Sequence, residues 1–140
     1  MKIIILGANH VAISLAEILA SEANDITIVD PDADKLRELK DRIDIGTAVG
    51  QPSYPDVLRM AGGDDADMLI AVTENDEVNL VACQIAQVLF KTPKKICRLR
   101  SASYMSAEGL FEPGAIAADV GASLLVVLNG LRLLNRGQRS

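Results

Sequence analysis

Apolar residues along this chain fall into two alternating rhythms. Short runs occupy Lys2–Leu6, Asp25–Val29, Ile45–Val49, Met68–Val72 and Lys94–Arg100. The first four are mostly continuous and rich in Ile, Val and Leu, as expected of strands buried on both faces of a parallel sheet. Between the runs, apolar positions recur every three or four residues. From His10 on, Val11, Ile13, Leu15, Ile18 and Leu19 are mixed with Ser14 and Glu17. Across 31–42, Leu36 and Leu39 stand among alternating charges, with Asp32 as a capping residue. Further helices are expected over 53–61, ended by Gly62-Gly63, and over 77–90. Strands alternating with helices of this length specify a doubly wound α/β architecture with helices on both faces.

In such sheets ligands bind outside the carboxyl ends of the strands, where strand order reverses. The stretch Lys2–Asp30 is a complete strand–turn–helix–strand unit of this kind, which makes the fold Rossmann-like. Its turn reads Gly7-Ala8-Asn9-His10-Val11-Ala12. Gly7 supplies the tight turn and Ala12 is small enough for close helix–strand packing. Asn9, however, stands where a second glycine lets a pyrophosphate approach the backbone. Asn tolerates left-handed backbone, so the turn can keep its shape while the side chain intrudes.

Asp30 closes the second strand about 20 residues beyond the turn, where a carboxylate accepts the ribose hydroxyls of an adenosine and repels a 2′-phosphate; a helix-cap role is the alternative. Gly50 and Gln51 follow the third strand, where adenine would lie, although Gly50 also suits a plain turn. Thr73 ends the fourth strand near the expected phosphates. Arg98 and Arg100 alternate on the fifth strand and share a face, opposite Cys97 and Leu99. Two guanidiniums there suit phosphates, or pairing with acids of a neighbouring helix. His10, the sole histidine, has no Ser, Cys or second acid at catalytic spacing, and no catalytic residue is expected. The residues alone therefore define a site for an adenine nucleotide of the dinucleotide or ATP type. A truncated NAD-dependent oxidoreductase and a ligand-free scaffold serving as an interaction module remain as alternatives.

The net charge of −5 over 140 residues shows no basic face for nucleic acid. Cys83 and Cys97 lack zinc-ligand spacing and suit core packing in a reducing cytoplasm. The four apolar residues between Lys2 and Gly7 are too short a run for a secretory leader.

Several of these stretches carry a resemblance. IIILGANHVAISLAEIL, DITIVD, AVGQPSYPDVLRMAGGDDADMLIAVTENDEVNLVACQIAQVLF and ICRLRSASY, in that order, resemble the N-terminal nucleotide-binding domain (RCK, KTN or TrkA-N) of Trk potassium-uptake regulators. The resemblance covers about residues 1–113. It implies a cytoplasmic, non-catalytic regulatory domain, peripheral at the inner face of the membrane, that binds NAD, NADH, ATP or ADP. It further implies docking to a membrane potassium transporter or channel subunit, and an R-x-R strand approaching the nucleotide's phosphates.

The remaining segment, 114–140, departs from that pattern. GAIAADVGASLLVVLNGLRLL is apolar and ends in a basic tail with Arg136 and Arg139. It resembles the final membrane helix of heavy-metal P-type ATPases, yet its uncharged core, Val120–Leu128, is short of the ~20 residues that span a bilayer. With Leu124, Leu128, Leu131 and Leu134 at helical spacing, it is expected to form a C-terminal helix that pairs two copies as a dimer.

Overall fold

A computed structural model of the protein describes residues 1–105, 116–120 and 123–128. Strands β1 (Lys2–Leu6), β2 (Asp25–Asp30), β3 (Gly46–Val49), β4 (Met68–Ala71) and β5 (Lys94–Leu99) alternate with helices α1 (His10–Ser21), α2 (Ala33–Arg42), α3 (Pro55–Met60) and α4 (Asp76–Ile85). A π-helical turn, Ala86–Phe90, prolongs α4, and α5 (Ala102–Met105) follows β5. A 3-10 turn, Gly63–Asp65, precedes β4, and two more strands, β6 (Ile116–Val120) and β7 (Ser123–Leu128), complete the described elements.

The sheet order is β3-β2-β1-β4-β5-β7-β6. The first five strands are parallel; β7 runs antiparallel to β5, and β6 antiparallel to β7. From β1 the chain builds outward through β2 to β3, then returns to β1's other side and builds through β4 to β5. The reversal falls between β1 and β4.

The apolar runs divide between two cores by strand alternation. Ile3, Ile5, Ile26, Ile28, Ile70 and Val72 pack on one face with Ala12 and Ala16 of α1 and Leu36 and Leu39 of α2. Ile4, Leu6, Val29, Leu69, Ala71, Cys97 and Leu99 pack on the other with Val57 and Leu58 of α3 and Ala82 and Cys83 of α4. In the register Ile5 lies beside Ile28 on one side and Ile70 on the other. Each such fully buried Ile is worth about 1.5–3 kcal/mol relative to exposure, so this sheet centre fixes where the strand ends lie.

The C-terminal helix is the expectation that the structure overturns. The stretch from Ser123 to Leu128 is a strand, with Val126 and Leu128 buried against the β5 side of the second core. A continuous apolar run of this length does not distinguish helix from strand by spacing. The parallel edge of β5 resolves it, because Lys95–Leu99 offer an unpaired ladder that Leu124–Leu128 satisfy. The proposed dimer contact thus loses the helix it was built on; Leu131 and Leu134 lie outside the described residues. Smaller shifts concern ends: α3 starts at Pro55 after Tyr54 instead of at Ser53, and β5 stops at Leu99.

Candidate functional site

Gly7 turns the chain at a φ of 110°, a conformation L side chains rarely adopt. A Cβ there would also stand 3.2 Å from the Thr73 Cα. The exits of β1 and β4 therefore pass closely, with the Gly7 N–H donating to the Val29 carbonyl at 2.8 Å and the Val72 N–H to the Leu6 carbonyl at 3.1 Å.

Asn9 differs from expectation. Its backbone is ordinary extended chain, φ −82° and ψ 177°, so no left-handed residue is needed there. Its side chain does not merely intrude but caps α1. Oδ1 accepts from the Val11 and Ala12 N–H groups, each at 3.1 Å, and Nδ2 donates to the Val72 carbonyl at 2.8 Å. The side chain thus meets two donors left over at the helix start and ties α1 to β4.

Asp30 ends β2 beside this turn. Its Oδ1 accepts from the Asp32 N–H at 2.8 Å, and its carbonyl from the Gly50 N–H at 3.1 Å. Asp32 in turn caps α2 by accepting from the Asp34 and Lys35 N–H groups, each at 3.1 Å, which sets Lys35 in the first turn behind Asp30. Asp30 and Lys35, together with Gly7, Ala8, Asn9, Gln51, Pro52 and Thr73, line a pocket of about 440 Å³ at the carboxyl ends of β1, β2 and β4. That size lies within the range of small-molecule sites, and the place is the sheet's switch point. Glu74, Asn75, Val78 and Pro31 complete its wall.

A buried amide holds the β4 side of the pocket in place. Asn79, on α4, is fully buried. Its Oδ1 accepts from the Thr73 N–H at 3.0 Å and the Thr73 hydroxyl at 2.6 Å, while Nδ2 donates to the Thr73 carbonyl at 3.1 Å and the Arg98 carbonyl at 2.9 Å. Asp76, also buried, accepts from the Arg100 and Ser101 N–H groups at 2.9 and 2.8 Å. The ends of β4 and β5 are thereby clamped to the start of α4.

Among the residues predicted from sequence, Gly7, Ala8, Asn9, Asp30, Gln51 and Thr73 line this pocket. His10, Val11, Gly50, Arg98 and Arg100 do not. His10 is exposed, Val11 contributes its N–H to Asn9, and Gly50 ties down Asp30. Arg98 is 8% exposed; its Nε donates to the Ser123 hydroxyl of β7 at 3.0 Å, and its Nη1 is buried without a hydrogen-bond partner among the described residues. Arg100 lies just past β5 and is exposed. Lys35 was missed by sequence reasoning, since it reads as one more charge on a solvated helix. The signal was the Asp32 cap, which puts a residue three places on in the helix's first turn. Among the described residues no cluster of three or more His, Cys, Asp or Glu side chains could hold a metal ion.

A mostly parallel sheet with a glycine turn and an acid-ended second strand around a switch-point pocket defines a Rossmann-like domain. Over residues 3–123 the sequence matches the TrkA-N domain, and the chain belongs to that family. It is 61% identical over 120 residues to the Trk system potassium uptake protein TrkA of Halomonas elongata, covering 86% of this chain and 26% of that protein. The chain thus spans about a quarter of that relative's length. Two solved structures share the fold. The TrkA-N domain of the inner membrane protein ybaL from Escherichia coli superposes at a TM-score of 0.62 with 16% identity, over 67% of this chain and 69% of that one. The GsuK channel bound to NAD superposes at 0.58 with 23% identity, over 66% of this chain and 17% of that one. Among the described residues no helix is long and apolar enough to cross a membrane.

Proposed function

We propose that this chain is the nucleotide-sensing part of a potassium-uptake regulator: a non-catalytic domain that binds an adenine nucleotide, NAD(H) or ATP/ADP, and passes its occupancy to a membrane potassium transporter or channel subunit. The observation that carries this reading is the carboxylate of Asp30, held by the Asp32 N–H at the edge of a pocket whose other wall is the Gly7 turn. An acid so held can accept both ribose hydroxyls of an adenosine. Family membership and the name of the Halomonas relative support the potassium-uptake role, and the NAD bound to the GsuK channel supports the ligand class. On this reading the domain works in the cytoplasm, at the inner face of the membrane.

Isothermal titration of the chain with NAD, NADH, ATP and ADP, repeated on Asp30→Ala, tests the reading. Loss of the ribose contact is expected to weaken binding by about 1.5–3 kcal/mol, the scale of a hydrogen bond to a charged group. Affinity unchanged by the substitution would remove Asp30 from the site, and with it the case for adenosine.

A further inference from the structure

Resting on that adenosine pocket, we propose that Asn9 determines which adenosine ligands it selects: the carboxamide stands in for the phosphates, so the pocket discriminates on the adenosine and gains little from a pyrophosphate. A helix start leaves N–H groups without intrahelical partners, and in this fold those groups ordinarily meet the phosphates. Here two of them, on Val11 and Ala12, already donate to Asn9 Oδ1 at 3.1 Å. The same side chain donates through Nδ2 to the Val72 carbonyl at 2.8 Å. These partners also fix the orientation of the amide, because two N–H groups face an oxygen and a carbonyl faces an NH₂.

A phosphate oxygen reaching Val11 or Ala12 must turn this side chain out and break all three bonds. Nothing in the backbone assists that departure, since Asn9 sits at an unstrained φ of −82°. The adenosine end needs no such exchange. Asp30, Lys35, Gln51 and Pro52 line the same pocket from β2, α2 and the loop after β3, and none of them bonds to Asn9. The chain therefore trades the phosphate cradle of its fold for a built-in cap, while keeping the ribose acid.

Calorimetric titration of the full chain with adenosine, AMP and NAD, in the wild type, Asn9→Gly and Asn9→Asp, is the test. Glycine is well tolerated at a helix start, so the first variant should fold. In the wild type the three ligands are expected to bind within about fivefold of one another, a difference of about 1 kcal/mol. Asn9→Gly should tighten AMP and NAD by about tenfold or more and leave adenosine within about threefold. Asn9→Asp keeps the acceptor for the Val11 and Ala12 N–H groups, but it turns an oxygen instead of a donor toward the Val72 carbonyl and adds a negative charge, so it should weaken AMP and NAD by about fivefold or more. Wild-type NAD binding about tenfold tighter than adenosine, or unchanged or weaker NAD binding by Asn9→Gly, would overturn the proposal while leaving the adenosine pocket intact. Binding of no adenosine ligand by any of the three proteins would overturn both.

Discussion

Asn79→Ala should be the most damaging single substitution outside the apolar core. The side chain is fully buried and spans two strand ends with four hydrogen bonds, three to Thr73 and one to the Arg98 carbonyl. Truncation leaves the Thr73 N–H, the Thr73 carbonyl and the Arg98 carbonyl without these partners; the Thr73 hydroxyl retains the Asn75 carbonyl at 3.1 Å. Each buried group left unsatisfied costs about 1–3 kcal/mol. Because the three are neighbours and the pocket lets water reach some of them, their costs do not simply add, and a total of about 3–4 kcal/mol is expected. For a chain of this size that corresponds to a melting point lower by roughly 10 °C. Urea denaturation and a thermal melt of the two proteins measure it. Asn79→Asp is the informative control, since it keeps the acceptor side but sets a carboxylate against two carbonyl oxygens; it should fall at least as far. A loss below about 1 kcal/mol for Ala would mean that water replaces the amide, and that the clamp does not hold Thr73 against the pocket.

Two further outcomes follow from strained or buried groups elsewhere. Ala23 follows α1 at a φ of 62° with its surface exposed, so Ala23→Gly should stabilise the protein by about 0.5–1 kcal/mol, read as a higher melting temperature; a fall would refute the strain. Lys95 is buried, its amine donating to the Thr92 carbonyl at 2.6 Å, and burial holds its pKa below the ordinary lysine value. The unfolded chain therefore holds a proton that the folded chain releases between the lowered pKa and 10.5. Stability attributable to this group rises with pH through that window and is smaller below it. Lys95→Met should flatten the rise in urea titrations carried upward to pH 10.5, and a slope equal to wild type would contradict it.

The central strands and the acid-ended turn were legible because each rests on a local pattern that the fold reinforces. Ile3–Leu6 and Ile26–Val29 are apolar on both faces and find cores on both. Gly7 was legible because a positive φ leaves little other choice. Asn9 was half legible. The sequence rule for a dinucleotide turn marks it as a missing glycine, whereas the rule for helix starts marks it as a cap, and the backbone geometry favours the second. Arg98 was placed on the correct strand, but not behind β7, because the pairing of β7 with β5 was hidden in an apolar run whose leucines also fit a helix. Asp76 and Asn79 read as polar residues of a helix start. Their role emerges only where α4 meets the ends of two strands that lie far apart in sequence.

A titration of isotopically labelled protein with ADP and NAD, followed through its backbone amide resonances, tests the location of the site most directly. The account predicts shifts concentrated on Ala8, Asn9, Asp30, Lys35, Gln51 and Thr73, which wall the pocket at the carboxyl ends of the strands. Shifts centred on Asp25, Asp44 and Gly46, which line a separate hollow at the opposite end of the sheet, or no shifts with either nucleotide, would contradict it.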